Sequence, residues 1–308
     1  MKNEKISSLL FLAFIIILFS CQSPETNLIK DENPQIGDSL IYKLRSTIDF
    51  QSFDFSKVED QEKFKALETT IKERWEKTSE KKSLIQSISW GFTGWAVRSM
   101  SLSNPEPAPN PNVYTIDDPK NFPTSSKLEK YVAVPFGSTM TGVGLRSITN
   151  DLTNAQLFYK IIDSNKSIGS TDYNKKENKS TLEEVCILSN QYTTLKWVAL
   201  GFGFRAVNDY IENVRIYYAP YNPATGLIEL TSINDVIHVD MYNSQFEESS
   251  SSNKIEQYIR TFDCKLPNGN PTYNLDQLRR THIIGIGGRV QNGSGTRIAI
   301  KMATMLNN

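Results

Sequence analysis

Residues 200–220 read LGFGFRAVNDYIENVRIYYAP, a stretch that carries two strands and the turn between them. Phe202 and Phe204 fall on one side of an extended chain, and Gly201, Gly203 and Arg205 on the other, because side chains alternate with a period of two. Asn208-Asp209 supplies the turn, since both residue types tolerate the backbone of a tight hairpin. Beyond it Val214, Ile216 and Tyr218 restore one apolar face at the same period. The pattern is that of an antiparallel hairpin with one face on a core.

The same signature recurs along the chain. GWAVR (94–98), GVGLR (142–146), GFGFR (201–205) and GIGGR (285–289) share the order glycine, apolar, small, any, arginine. The last three run on through a polar turn into a second alternating strand, where Ala155, Leu157 and Tyr159 match Val214, Ile216 and Tyr218, and also Ile298, Ile300 and Met302. Repetition of this kind means several copies of one supersecondary unit. Glycine weakens a strand, so its return at one place in each copy predicts a bulge or the close approach of another backbone. The closing arginine is read as structural, its stem covering the glycines and its guanidinium binding carbonyls or a carboxylate.

Residues 84–308 are therefore expected to be mainly β, a body of repeated antiparallel hairpins. The proline-rich NPEPAPNPN (104–112), the polar stretch 164–180 and EESSSSNK (247–254) read as solvated loops within it. One helix precedes the body. Ser56-Lys57-Val58-Glu59 has capping-box spacing, and Phe64, Leu67, Ile71 and Trp75 recur at helical intervals, predicting an amphipathic, charged helix over 56–82 with Glu68–Lys72 and Glu73–Lys77 as surface pairs. Residues 21–55, polar and without a sustained period, read as a tether.

LGFGFRAVNDYIENVRIYYAP resembles the strand-turn-strand unit of the jacalin-related lectins, and GLRSITNDLTNAQLFY (144–159) is similar to that of the vitelline membrane outer layer proteins. The resemblance implies a β-prism of three four-stranded sheets, with a small propeller and a β-sandwich as alternatives for four copies. The family's sugar site does not transfer. Its Gly-x-x-x-Asp loop has no counterpart in Asn292-Gly293-Ser294-Gly295-Thr296.

At the other end of the chain, residues 1–20 read as a secretory signal: a basic start at Lys2 and Lys5, an apolar run over 9–19, and Ser20 before the cut. Eleven apolar residues are too few to span a bilayer, which takes about 20. Leu18-Phe19-Ser20-Cys21 resembles the bacterial lipobox, which implies that Cys21 is acylated and anchors the chain to a membrane of the cell envelope, at the outer membrane or the cell surface. The charges balance, 34 Lys and Arg against 34 Asp and Glu, so there is no electrostatic footprint for nucleic acid.

Motifs for chemistry are sparse. No Gly-x-Ser-x-Gly nucleophile occurs, the Gly-x-Gly segments open no helix, and no cofactor or metal is implied, so an enzyme is not expected. His238 and Asp240 share a strand face and read as a hydrogen-bonded structural pair, while His282 is expected to cap or edge the last repeat. Cys186 and Cys264 form an even pair in an exported chain and are a candidate disulfide. Trp90, Trp95, Tyr210, Tyr217, Tyr218 and Tyr221 offer stacking faces near the repeats. Ligand-binding groups are expected on the hairpin turns: Asn150, Asp151, Asn208, Asp209, Tyr210 and Asn292. The expected function is a lipid-anchored binding module for a glycan or other extracellular polymer. The alternative is a structural or assembly lipoprotein that contacts an envelope protein.

Overall fold

The computed structural model describes residues 34–47, 49–78, 89–99, 112–115, 118–122, 128, 130–148, 151–161, 169–172, 181–186, 193–207, 210–241, 254–264, 274–289 and 297–306. The fold is mainly β. Its first sheet has the order β1 (Gln51–Ser52), β11 (Ile237–Met241), β10 (Tyr210–Tyr221), β9 (Lys196–Val207), β12 (Lys254–Arg260). The second runs β3 (Asn112–Tyr114), β2 (Ser89–Ser99), β14 (Arg297–Leu306), β13 (Thr281–Arg289), β4 (Lys130–Ala133). The third runs β7 (Gly169–Asp172), β6 (Asp151–Ile161), β5 (Ser138–Ile148), β8 (Thr181–Cys186). Among the described residues all strand pairings are antiparallel except β1 with β11. Strand β7 lies inside the stretch 164–180 expected as loop; it pairs with β6 as an edge strand, which asks little of its own apolar content.

Each sheet is built around a hairpin read from the sequence: β9–β10, β13–β14 and β5–β6. The register explains the repeated glycine. Ala199 pairs with Tyr218 and Gly201 with Tyr217, leaving Leu200 as an extra residue. Ile284 before Gly285, Thr141 before Gly142 and Thr93 before Gly94 are extra in the same way. A bulge thus precedes the first glycine of all four copies. Past the bulge the backbones crowd: a Cβ built on Gly201 would lie 2.5 Å from the Cα of Arg260, and one on Gly285 would lie 2.7 Å from the carbonyl oxygen of Val132.

The apolar faces of the three sheets share one core, with Phe202 and Ile216 from the first, Ile300 and Met302 from the second, and Met140 and Val143 from the third. The opposite face of β10 is buried too, Arg215 and Tyr217 being 3% and 0% exposed, so this strand is covered on both sides rather than one. Its cover comes from the segment read as tether. Residues 34–55 carry helix α1 (Pro34–Ser46), whose Leu40, Ile41 and Leu44 are core, and strand β1, with Phe50 packed edge-on against Tyr217. Apolar residues spaced 1, 3 and 4 apart fill one helical stripe here, a short pattern that Tyr42 and the surrounding polar residues hide.

Helix α2 (Val58–Thr78) forms where the sequence placed a helix, and Phe64 and Ile71 are buried with Leu67 and Trp75 partly so. Its N-terminus departs from the expected capping box: Asp54 accepts from the amide and hydroxyl of Ser56, while Asp60 accepts from the Asp54 amide. Glu68 is not a surface partner of Lys72. It is 1% exposed, and its carboxylate accepts from the Thr194 amide and hydroxyl, the Leu195 amide and the Trp197 indole. A short helix α3 (Leu275–Arg280) leads into β13.

Candidate functional site

A groove of about 730 Å³ lies between α2 and β1, within the range of small-ligand clefts. One wall is a single face of α2, where Asp60, Lys63, Leu67, Thr70 and Arg74 follow one another at intervals of three to four. The other is the edge of the first sheet, since the consecutive residues Gln51, Ser52 and Phe53 all line the groove although strand neighbours point to opposite faces. Ser232 and Asn234 close one end.

Buried carboxylates hold these walls in place. Glu68 fixes α2 to the residues leading into β9 through four hydrogen bonds. Asp235 is 1% exposed and organises the closing turn by accepting from the Thr231 amide at 2.8 Å and the Ser232 amide at 2.7 Å, while Arg74 of α2 forms an ion pair with it. Ser232 caps the 3-10 turn Ile233–Asp235, which aims Asn234 outward.

The charges in the groove are all engaged. Arg74 is paired with Asp235 and donates to the Thr231 hydroxyl at 2.8 Å. Lys63 meets Glu59 at 2.7 Å and Asp60 at 3.6 Å, and Asp60 also accepts from the Asp54 amide. Among the described residues, the side chains in the groove that make no protein hydrogen bond are neutral, the amides of Gln51 and Asn234 and the hydroxyl of Ser52, while Arg74, paired with Asp235 through its terminal nitrogens, keeps a buried Nε that makes no hydrogen bond.

A second polar cluster lies under the segment joining α1 to β1. Arg260, 2% exposed, grips Asp263 side-on at 2.8 and 2.9 Å and donates to the carbonyls of Thr47 and Arg45 at the end of α1. Its guanidinium stacks over Phe262 at 4.6 Å and Tyr217 at 5.3 Å. Arg215 grips Asp240 in the same side-on manner, at 2.7 and 2.9 Å. His238 faces that carboxylate at 3.9 Å, and burial with the nearby Arg215 lowers its pKa to about 4. The expected hydrogen bond between His238 and Asp240 is therefore not made, because Arg215 takes the carboxylate and the imidazole stands beside that pair. Among the described residues no group of three or more His, Cys, Asp and Glu is placed to hold a metal ion.

The other sequence candidates fall as follows. Asn150, Asn208, Asp209, Asn292 and Cys21 lie outside the described residues, as do the side chains of Asp151, Tyr210 and Cys186, although Asp151 opens β6 opposite Ile148 and Tyr210 opens β10 opposite Val207. Cys264 is a free thiol, fully buried, donating to the Arg260 carbonyl at 3.3 Å, so the structure holds it unbridged, and burial raises its pKa. Trp95, Tyr217, Tyr218 and Tyr221 are fully buried and offer no stacking face to solvent. Arg98, the arginine of the first copy, is 4% exposed and donates to the carbonyl of Tyr258, the structural role read for it. His282 does not edge its strand. It is fully buried, with Nδ1 2.9 Å from the Thr139 hydroxyl and Nε2 3.0 Å from the Gly226 carbonyl, joining β13 to β5 and to the turn after β10.

Sequence reading missed the groove. The signals were a helix face richer in polar residues than packing needs and a glutamate, Glu68, placed one residue beyond Leu67 in the apolar stripe.

No protein-family model matches the chain, and no curated protein does. Among solved structures it is similar to the mosquito-larvicidal Cry4Aa toxin of Bacillus thuringiensis, with a TM-score of 0.34 and 8% identity over 57% of this chain and 28% of that one. It is similar also to the insecticidal crystal protein Cry7Ca1 of the same organism, with a TM-score of 0.33 and 15% identity over 56% of this chain and 29% of that one. The chain thus spans under a third of the length of either, and likeness at this level assigns neither an activity nor a fold family.

Proposed function

We propose that the chain is an exported lipoprotein, held to the outer membrane or cell surface through acylated Cys21, whose body is a binding module for a glycan or other extracellular polymer. The observation that carries the reading is the groove between α2 and β1, whose walls are fixed by buried carboxylates and whose open polar groups point into it. Fixed walls matter because a pre-organised site loses less entropy on binding. We infer also that the three sheets make a β-prism. Support comes from one repeat hairpin per sheet, a shared core, and a bulge at the same place in each copy. The rival reading, an assembly lipoprotein, has no observation of its own among the described residues.

Two measurements test the proposal. Cys21→Ala is expected to move the protein from the membrane fraction to the soluble fraction, and palmitate labelling of that variant would contradict the anchor. A glycan array probed with the full chain in detergent is expected to give hits that Asn234→Ala weakens and that the double variant Asp151→Asn, Asp209→Asn leaves within about twofold. Silence on the array together with a co-purifying envelope protein would overturn the binding-module reading in favour of the assembly one.

A further inference from the structure

We infer that the groove takes an uncharged oligosaccharide, and this rests on the binding-module reading above. A ligand meets only the groups that the protein has left open. An anionic ligand needs a cation to replace its hydration, yet Arg74 is held by Asp235, and Lys63 by Glu59 and Asp60. A cationic ligand needs a carboxylate, and Asp60 already faces Lys63 and the Asp54 amide. Withdrawing Arg74 from the buried Asp235 would leave a charge unpaired, which is costly, whereas Lys63 and Glu59, 58% and 77% exposed, form only a surface pair. The side chains left without any protein partner are neutral. Gln51 and Asn234 each present an amide that both donates and accepts, and the Ser52 hydroxyl does the same, the pairing that adjacent sugar hydroxyls satisfy. Partly buried Leu67 and the edge of the largely buried Phe53 add a small apolar surface.

An added peptide strand is a poorer fit to the same edge. Strand β1 has only two residues, and the amide two positions beyond it, that of Asp54, is already bonded to Asp60. So short an edge gives a peptide little backbone to pair with.

The test is calorimetric titration of the full chain in detergent with two panels of trimers: neutral ones from glucan, mannan, xylan and chitin, and acidic ones bearing uronate or sulfate. The expected result is binding of a neutral trimer whose affinity changes less than about twofold between roughly 50 and 500 mM salt, since hydrogen bonds to uncharged groups are not screened. The double variant Gln51→Ala, Asn234→Ala, at exposed positions whose side chains make no protein hydrogen bond, is expected to weaken it by about tenfold or more, some 1.4 kcal/mol, with an unchanged melting temperature. Preference for the acidic panel with a steep salt dependence would overturn the uncharged ligand while leaving a binding module. Saccharide binding indifferent to the double variant would overturn the groove as its place. Binding of an extended peptide alone would overturn the saccharide class, and no binding by either panel would sink this inference and the glycan reading together.

Discussion

Glu68 on α2 accepts a 2.9 Å hydrogen bond from the indole nitrogen of Trp197 at the start of β9, both side chains being buried. The same carboxylate takes the amide and hydroxyl of Thr194 and the amide of Leu195, so it satisfies four donors, of which the Leu195 amide and the Trp197 indole are buried between helix and sheet. Glu68→Ala is expected to lower stability by about 3 kcal/mol, and Glu68→Gln by about half as much, because an amide keeps one acceptor but turns two N–H groups toward donors. Urea denaturation reads both values. A loss under about 0.5 kcal/mol for the alanine variant would mean that water replaces the carboxylate.

Gly201 and Gly288 make a paired test of the glycine pattern. Gly201 faces the Cα of Arg260 and the carbonyl of Ile259, both at 2.5 Å from an added Cβ, and neither can rotate away. Gly288 meets only the Arg297 carbonyl, at 3.1 Å. Gly201→Ala is expected to destabilise by about 2–4 kcal/mol and to detach the edge strand β12, seen as faster amide exchange over 254–260, whereas Gly288→Ala stays within about 1 kcal/mol. Equal effects would show that the crowding at β9 is relieved by a small shift of β12.

Leu44 distinguishes a packed α1 from a tether. It is fully buried among Phe50, Tyr217 and their neighbours in the core. Leu44→Ala is expected to lower stability by about 2–5 kcal/mol, measured by thermal unfolding, while the same change at Tyr42, 74% exposed, is silent. A silent Leu44→Ala would return residues 34–47 to the tether.

Acid sensitivity follows from two buried histidines. Burial lowers the pKa of His282 to about 4, opposed by its bond to the Gly226 carbonyl, and His238 falls to about 4 as well. The folded values lie below the unfolded value of about 6.5, so between these limits the unfolded chain binds more protons. The stabilisation is complete above about pH 6.5 and is lost as the pH falls toward 4, at about 1.4 kcal/mol per pH unit for each histidine. Denaturation midpoints at pH 7.5, 6.0 and 5.0 should show this fall, with a shallower slope in His282→Gln. A flat profile over that range would place a solvent path to both rings.

Periodicity in GFGFRAVND and its relatives was enough to establish hairpins and their apolar faces, because these are local consequences of alternation and turn chemistry, whereas the repeated glycine left a bulge and a close backbone approach as alternatives and only the register showed the bulge before each one. The helical stripe of Phe64, Leu67, Ile71 and Trp75 was legible for the same reason. What lies on the other face of a strand is not local. Arg215 and Tyr217 look like solvent-side residues until Asp49 and Phe50, more than 160 positions away, are folded over them. Glu68 looks like a surface charge until Thr194 and Trp197 arrive. The groove belongs wholly to this second kind, since Gln51, Asn234 and the open face of α2 share no spacing in sequence and meet only because a parallel pair, β1 with β11, brings two distant segments side by side.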